Sequence, residues 1–119
     1  MFAIQAGGCS PMVSAYEAGD ECATRWEGAA TMATGIRVPK AVGDFLILRA
    51  VRESKGSALA VSEQAIAAAV ELAAEKDGML LCPEGGAVLA AWQDALASGL
   101  VDKHDRCLLF NCANGNKYP

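Results

Sequence analysis

Short apolar runs alternate with segments of helical period along this chain, and a glycine or proline marks most of the changes. That alternation limits the choice of fold more than any other feature. Residues 2–5 read as a short buried strand. Ser10-Pro11 opens a helix, with Ser10 at the N-cap and Pro11 in the first turn, and Gly19 ends it. A polar loop holding Trp26 covers 20–30. The spacing predicts a second helix over 41–54, with Phe45, Leu48 and Val51 on one face and Asp44, Arg52 and Glu53 nearer solvent. Residues 58–61 form an extended run. Ser62 caps a third helix in which Ile66, Ala69, Val70 and Ala73 recur at helical spacing, and Gly78 stops it. Residues 79–82 form another apolar run, ended by Pro83. A fourth helix is expected after Gly85-Gly86, carrying Leu89, Trp92 and Leu96, and a last strand over 106–110. Strands and helices alternating with short turns predict an α/β fold, a mostly parallel sheet with covering helices.

A chain of 119 residues is one domain at most, and no linker, repeat or low-complexity stretch divides it. Hydrophobic residues make up 53%, many of them Ala, so the core is expected to be small-residue and closely packed. The net charge of −4 comes without a Lys/Arg cluster, which argues against a nucleic-acid partner. No apolar run approaches the roughly 20 residues of a membrane span, and Met1-Phe2-Ala3-Ile4 lacks the basic start of a signal peptide. A cytoplasmic location is the expectation. The five cysteines, Cys9, Cys22, Cys82, Cys107 and Cys112, form no C-x-x-C pair, so no metal site is expected and free thiols are.

Three stretches carry more than fold. The tail runs Leu108-Leu109-Phe110-Asn111-Cys112-Ala113-Asn114-Gly115-Asn116-Lys117-Tyr118-Pro119, an apolar strand dropping into a polar turn. A parallel strand delivers a side chain to a ligand in this way, at its C-terminal end. Upstream lie Thr34-Gly35-Ile36-Arg37-Val38-Pro39 and Cys82-Pro83-Glu84-Gly85-Gly86-Ala87. With the opening Ile4-Gln5-Ala6-Gly7-Gly8-Cys9-Ser10-Pro11, these stretches resemble, in order and spacing, the C-terminal third of the threonine-synthase family. That family belongs to the tryptophan-synthase-β group (fold type II) of pyridoxal-phosphate enzymes. The resemblance covers essentially the whole chain. It implies one partial domain over 1–119, the C-terminal portion of the large cofactor-binding domain, cut at both ends.

The resemblance assigns roles residue by residue. In the family the place of Cys112 is commonly Ser or Thr, and the side chain bonds the ring nitrogen of the cofactor. A thiol would serve there as a neutral, weak donor. A neutral partner leaves the ring a weaker electron sink than a carboxylate partner would. The plainer alternative is a buried cysteine at a strand end. Ala113 and Asn114 depart from the family's common Gly-x-Gly turn. Thr34 and Gly35 lie in a loop that the family runs along the ring's edge, where a glycine lets backbone approach a flat ligand. Its alternative is a simple connector. The Glu84-Gly85-Gly86 turn offers backbone N–H groups at a helix start, a generic anion site that Glu84 itself would oppose. It reads as structural.

No catalytic residue is expected here. His104 sits in a charged turn, and no Ser/His/Asp set has support. The lysines Lys40, Lys55, Lys76, Lys103 and Lys117 do not occur in the setting where the family joins a lysine to its cofactor. The expectation is a segment that walls the cofactor site of a homodimeric lyase. The resemblance implies that the complete enzyme converts O-phosphohomoserine and water to threonine and phosphate. A sister dehydratase, a cysteine-synthase type or a non-catalytic α/β fragment stays open.

Overall fold

A computed structural model describes residues 1–118. Strand β1 (Phe2–Ala6) and strand β2 (Ser57–Val61) pair in parallel, Phe2 against Ser57 and Ala6 against Val61. Between them run helix α1 (Pro11–Ala18), a 3-10 turn at Thr34–Ile36 and helix α2 (Asp44–Glu53). After β2 come α3 (Glu63–Asp77) and α4 (Pro83–Ala97), which pack against each other, then an extended stretch and a 3-10 turn at Gly115–Lys117. The α/β architecture, the parallel pairing and the four helices match the expectation.

The helix starts show how local chemistry sets the boundaries. Ser62 caps α3 as expected, its hydroxyl accepting from the Ala65 N–H at 3.1 Å. Ser10 makes no side-chain cap to α1. Buried Gln5, at the end of β1, replaces it, and its amide oxygen accepts from Met12 at 2.8 Å and Val13 at 3.2 Å. The first turn of α1 is therefore tied to the strand rather than to its own flanking residue. The thiol of Cys82 caps α4, accepting from the Gly85 N–H at 3.4 Å.

Ala6, Ala33, Ala69, Ala87, Ala90 and Ala91 fill the main core around Val61 and Ile66. Small side chains bring α3 and α4 close. A Cβ on Gly86 would stand 2.6 Å from the Val70 side chain and 2.9 Å from the Ile66 carbonyl, so this crossing admits only glycine. A second cluster joins α1, Ala23 and Leu48 of α2.

Several expectations are corrected. Only two strands form among the described residues. The 79–82 run contributes a single antiparallel bridge, Leu81 to Asn114. The 106–110 run is extended but unpaired, with Leu108 and Phe110 exposed. An extended segment becomes a strand only when a neighbour supplies its hydrogen bonds, and none is present here. Helix α2 starts at Asp44 instead of 41, and Asp44 is buried while Phe45 is exposed. Asp44 turns inward because Lys40 and the Ala23 N–H meet it there. Helix α4 starts at Pro83, with Gly85 and Gly86 inside it, and its fully buried stripe is Ala87, Ala90, Ala91 and Ala95 rather than Leu89, Trp92 and Leu96. Among the described residues no helix is long and apolar enough to cross a membrane, and no group of three potential metal ligands occurs.

Candidate functional site

The first turn of α4 faces both the Thr34–Ile36 turn and the tail, and Glu84 occupies that meeting point. It is 4% exposed. One carboxylate oxygen accepts from the Gly35 N–H at 2.7 Å, and the other from the Tyr118 hydroxyl at 2.8 Å. A Cβ on Gly35 would stand 2.8 Å from that first oxygen, so the turn sits this close because it has no side chain there. The three stretches singled out in the sequence therefore converge on a single carboxylate.

Burial alone pushes the Glu84 carboxyl up. Hydrogen bonds from Tyr118, from backbone N–H groups including that of Gly35, and from Cys82 outweigh it and hold the group below the ordinary carboxylate range. The position in the first turn of a helix also favours a negative charge. The Tyr118 phenol moves the opposite way, raised first by its bond to Glu84 and then by desolvation, with Thr34 partly opposing. The Cys82 thiol is pushed up by burial, against the Gly85 N–H that favours the thiolate.

Beside Glu84 opens a cavity of about 170 Å³, lined by Phe2, Ile4, Ile36, Glu84, Phe110 and Cys112, among others. Cys112 thus stands on its wall, with an exposed side chain. The volume falls below the roughly 300–1,000 Å³ of pockets that enclose a whole ligand. Its size suits one end of a ligand, with the Cys112 thiol and the buried Glu84 carboxylate on its wall. A larger apolar cavity of about 650 Å³ adjoins it, between β1, α4 and the 101–110 stretch. Its lining is apolar apart from Arg106 and Cys107, so the polar chemistry belongs to the smaller space.

Of the expected site residues, Cys112 lines the cavity. Thr34 and Gly35 do not, and their neighbour Ile36 does. Gly35 contributes through its backbone, committed to Glu84. The N–H groups of Gly85 and Gly86 serve Cys82, at its thiol and its carbonyl, which removes the generic anion site. No lysine lines either cavity among the described residues, and Lys40 is paired with Asp44 at 2.6 Å. The role of Glu84 as the common acceptor escaped the sequence, because its partners lie 49 and 34 residues away along the chain.

A family model described as pyridoxal-phosphate dependent enzyme matches residues 1–113. The chain is similar to threonine synthase of Methanocaldococcus jannaschii, 30% identical over 119 residues, and to threonine synthase of Methanosarcina acetivorans, 32% identical over 119 residues. Each alignment takes in the whole of this chain and 29% of the relative's length. Among solved structures, the threonine deaminase of T.th. superposes with a TM-score of 0.66 at 26% identity, over 81% of this chain and 34% of that one.

Proposed function

The chain belongs to the pyridoxal-phosphate dependent enzyme family, with the α/β fold of its type II members, and from that premise we propose that it is one wall of the cofactor site of a threonine synthase. The observation that carries this reading is whole-chain similarity to relatives named threonine synthase. The reaction is O-phosphohomoserine plus water to threonine plus phosphate. It runs in a longer polypeptide, since this chain spans 29% of those relatives. A cytoplasmic homodimer is part of the same reading.

The cofactor supplies an electron sink for charge that builds on the substrate's carbon. This chain's residues supply the surroundings. Cys112, on the cavity wall, would hold the ring nitrogen through its thiol. Ile36 and Phe110 line the same space with apolar side chains. Glu84 holds the walls in register. The donor set fits one edge of the group: a thiol that can donate to an unprotonated nitrogen, in a space open at one end. Holding the phosphate and bonding a lysine fall to other parts of the complete enzyme.

The likeness of fold to threonine deaminase favours a second reading, a dehydratase acting on threonine or serine. One experiment separates the two. The full-length polypeptide carrying this sequence is supplied with pyridoxal phosphate and then with O-phosphohomoserine, threonine or serine. Phosphate and threonine released from the first substrate support the synthase, whereas a 2-oxo acid from the other two, with no phosphate release, sinks it. The 119-residue segment alone is expected to bind pyridoxal phosphate weakly or not at all. A stoichiometric absorbance band that borohydride fixes onto one of its lysines would overturn the assignment of this segment as a wall.

A further inference from the structure

Cys112 sits in a stretch with little hold of its own. Among the described residues, no backbone group from 106 to 112 makes a hydrogen bond. The stretch is pinned on its two sides instead. Before Cys112, the Asn111 side chain meets the Cys82 thiol at 3.5 Å. After it, Gly115 donates to the Leu80 carbonyl at 2.9 Å, and Tyr118 reaches Glu84. Glu84 is the one of these anchors that also lines the cavity with Cys112 and also holds the 34–36 turn.

We infer that Glu84 is a positioning residue: its carboxylate fastens the Thr34–Ile36 turn and the tail at Tyr118 to the first turn of α4, and so sets where Cys112 stands in the cavity. The chemical class of the group matters. Two donors, one backbone N–H and one phenol, each meet a different oxygen of the group. A carboxylate offers two. A glutamine offers one oxygen and one donor NH₂; with its oxygen on the Gly35 N–H it can meet Tyr118 only as a donor, so the phenol O–H loses its acceptor and both bonds lose the charge that strengthens them. The charge persists without a cation because the donors and the helix start supply compensation, and the bonds to it are stronger than neutral ones. The inference rests on the reading that this cavity takes the ring edge of pyridoxal phosphate, but its test separates from that reading.

The test uses the full-length polypeptide carrying this sequence, with Glu84→Gln and Tyr118→Phe. The first readout needs no cofactor: the rate at which iodoacetamide alkylates Cys112, followed by mass spectrometry, with exposed Cys22, outside the tail, as internal reference. Both variants are expected to change the Cys112 rate by about fivefold, the effect of one or two hydrogen bonds, and to leave Cys22 unchanged. The second readout is the absorbance of bound pyridoxal phosphate, which both variants are expected to shift. Unchanged Cys112 rates in either variant overturn the inference. So does an equal change at Cys22 and Cys112, which reports general loosening. A Cys112 effect with an unshifted cofactor band leaves Glu84 only a structural clasp, and also overturns it. If Glu84→Gln fails to fold, Tyr118→Phe carries the test, because it keeps the charge and the Gly35 bond. If the wild-type polypeptide takes up no pyridoxal phosphate, the cofactor reading falls, and the alkylation rates still decide whether Glu84 places Cys112.

Discussion

Two carboxylates in this molecule are buried to the same degree and do different work. Asp44 and Glu84 are each 4% exposed. Asp44, at the start of α2, takes a lysine: the Lys40 ammonium at 2.6 Å, with the Ala23 N–H at 2.9 Å and the Phe45 N–H at 2.7 Å. Lys40 also donates to the Ala23 carbonyl. The result is a staple that holds the 20–30 loop against α2, outside the two cavities described above. Glu84, at the start of α4, has no cation among its bonded partners and uses two neutral donors from distant segments beside a cavity. A buried anion neutralised by a lysine is electrostatically closed. One held only by hydrogen bonds keeps its field in the space beside it, where a bound ligand can feel it.

The sharpest way to break that contrast is truncation. Glu84→Ala leaves the Gly35 N–H and the Tyr118 hydroxyl without their acceptor, and is expected to lower stability by roughly 2–4 kcal/mol. Urea unfolding monitored by tryptophan fluorescence measures it. A loss below that of Tyr118→Phe, which removes a single bond, would show that Glu84 does not join the two segments.

Acid is the next lever. Lys40's hydrogen bond, with the Ala23 N–H, holds the Asp44 carboxyl below the ordinary carboxylate range, and hydrogen bonds hold Glu84 there against burial. A depressed folded value means that each group's contribution is fully present above the ordinary carboxylate pKa of about 4. It is lost as pH falls through the depressed value. Asp44→Asn and Glu84→Gln should each lower the unfolding midpoint at about pH 7 and flatten its fall toward about pH 3. A midpoint gap between variant and wild type that stays the same in acid contradicts the assignment of charge.

Cys112 tests whether chemistry belongs to the Glu84 side alone. In the full-length polypeptide, Cys112→Ser should keep turnover within about tenfold, or about 1.4 kcal/mol of barrier, since a hydroxyl is also a neutral donor. Cys112→Ala should cost more, and Cys112→Asp should change the absorbance of bound cofactor. Asp44→Asn should leave that absorbance alone. If Ala and Ser behave alike and Asp leaves the spectrum unchanged, Cys112 is a packed thiol only.

Salt gives the smallest effect. Lys40 is partly exposed but Asp44 is buried, so Lys40→Met should cost more than the loss of an exposed ion pair, and only a small part of that cost should shrink in about 1 M salt. The loss from Tyr118→Phe involves no ion pair and should not change with salt.

Much of the frame was legible from residues alone, because it depends on short-range chemistry. Ser62 caps α3 and Gly78 ends it in the left-handed conformation, as their side chains and spacing require. Ile66, Ala69 and Ala73 face inward by helical period. Errors arose where a partner outside the helix's own pattern decided the outcome. Gln5 took over the cap expected of Ser10, and the reach of Lys40 turned Asp44 inward. Gly85 and Gly86 looked like a turn, but close neighbours, Asn111 at Gly85 and α3 at Gly86, needed the absence of their side chains inside a helix.

The tail shows the division between the two levels. Sequence by itself determined an α/β chain of small-residue core, with a cysteine placed after an apolar run and a glycine in the upstream loop, because periodicity, capping and turn chemistry act over a few residues. Tertiary structure decided whether 106–110 pairs, which faces of α2 and α4 are buried, and which atoms the three motifs share. Those outcomes depend on contacts between segments, and no local pattern in the chain records that a Gly35 N–H and a Tyr118 hydroxyl, 49 and 34 residues away, will divide the two oxygens of Glu84 between them.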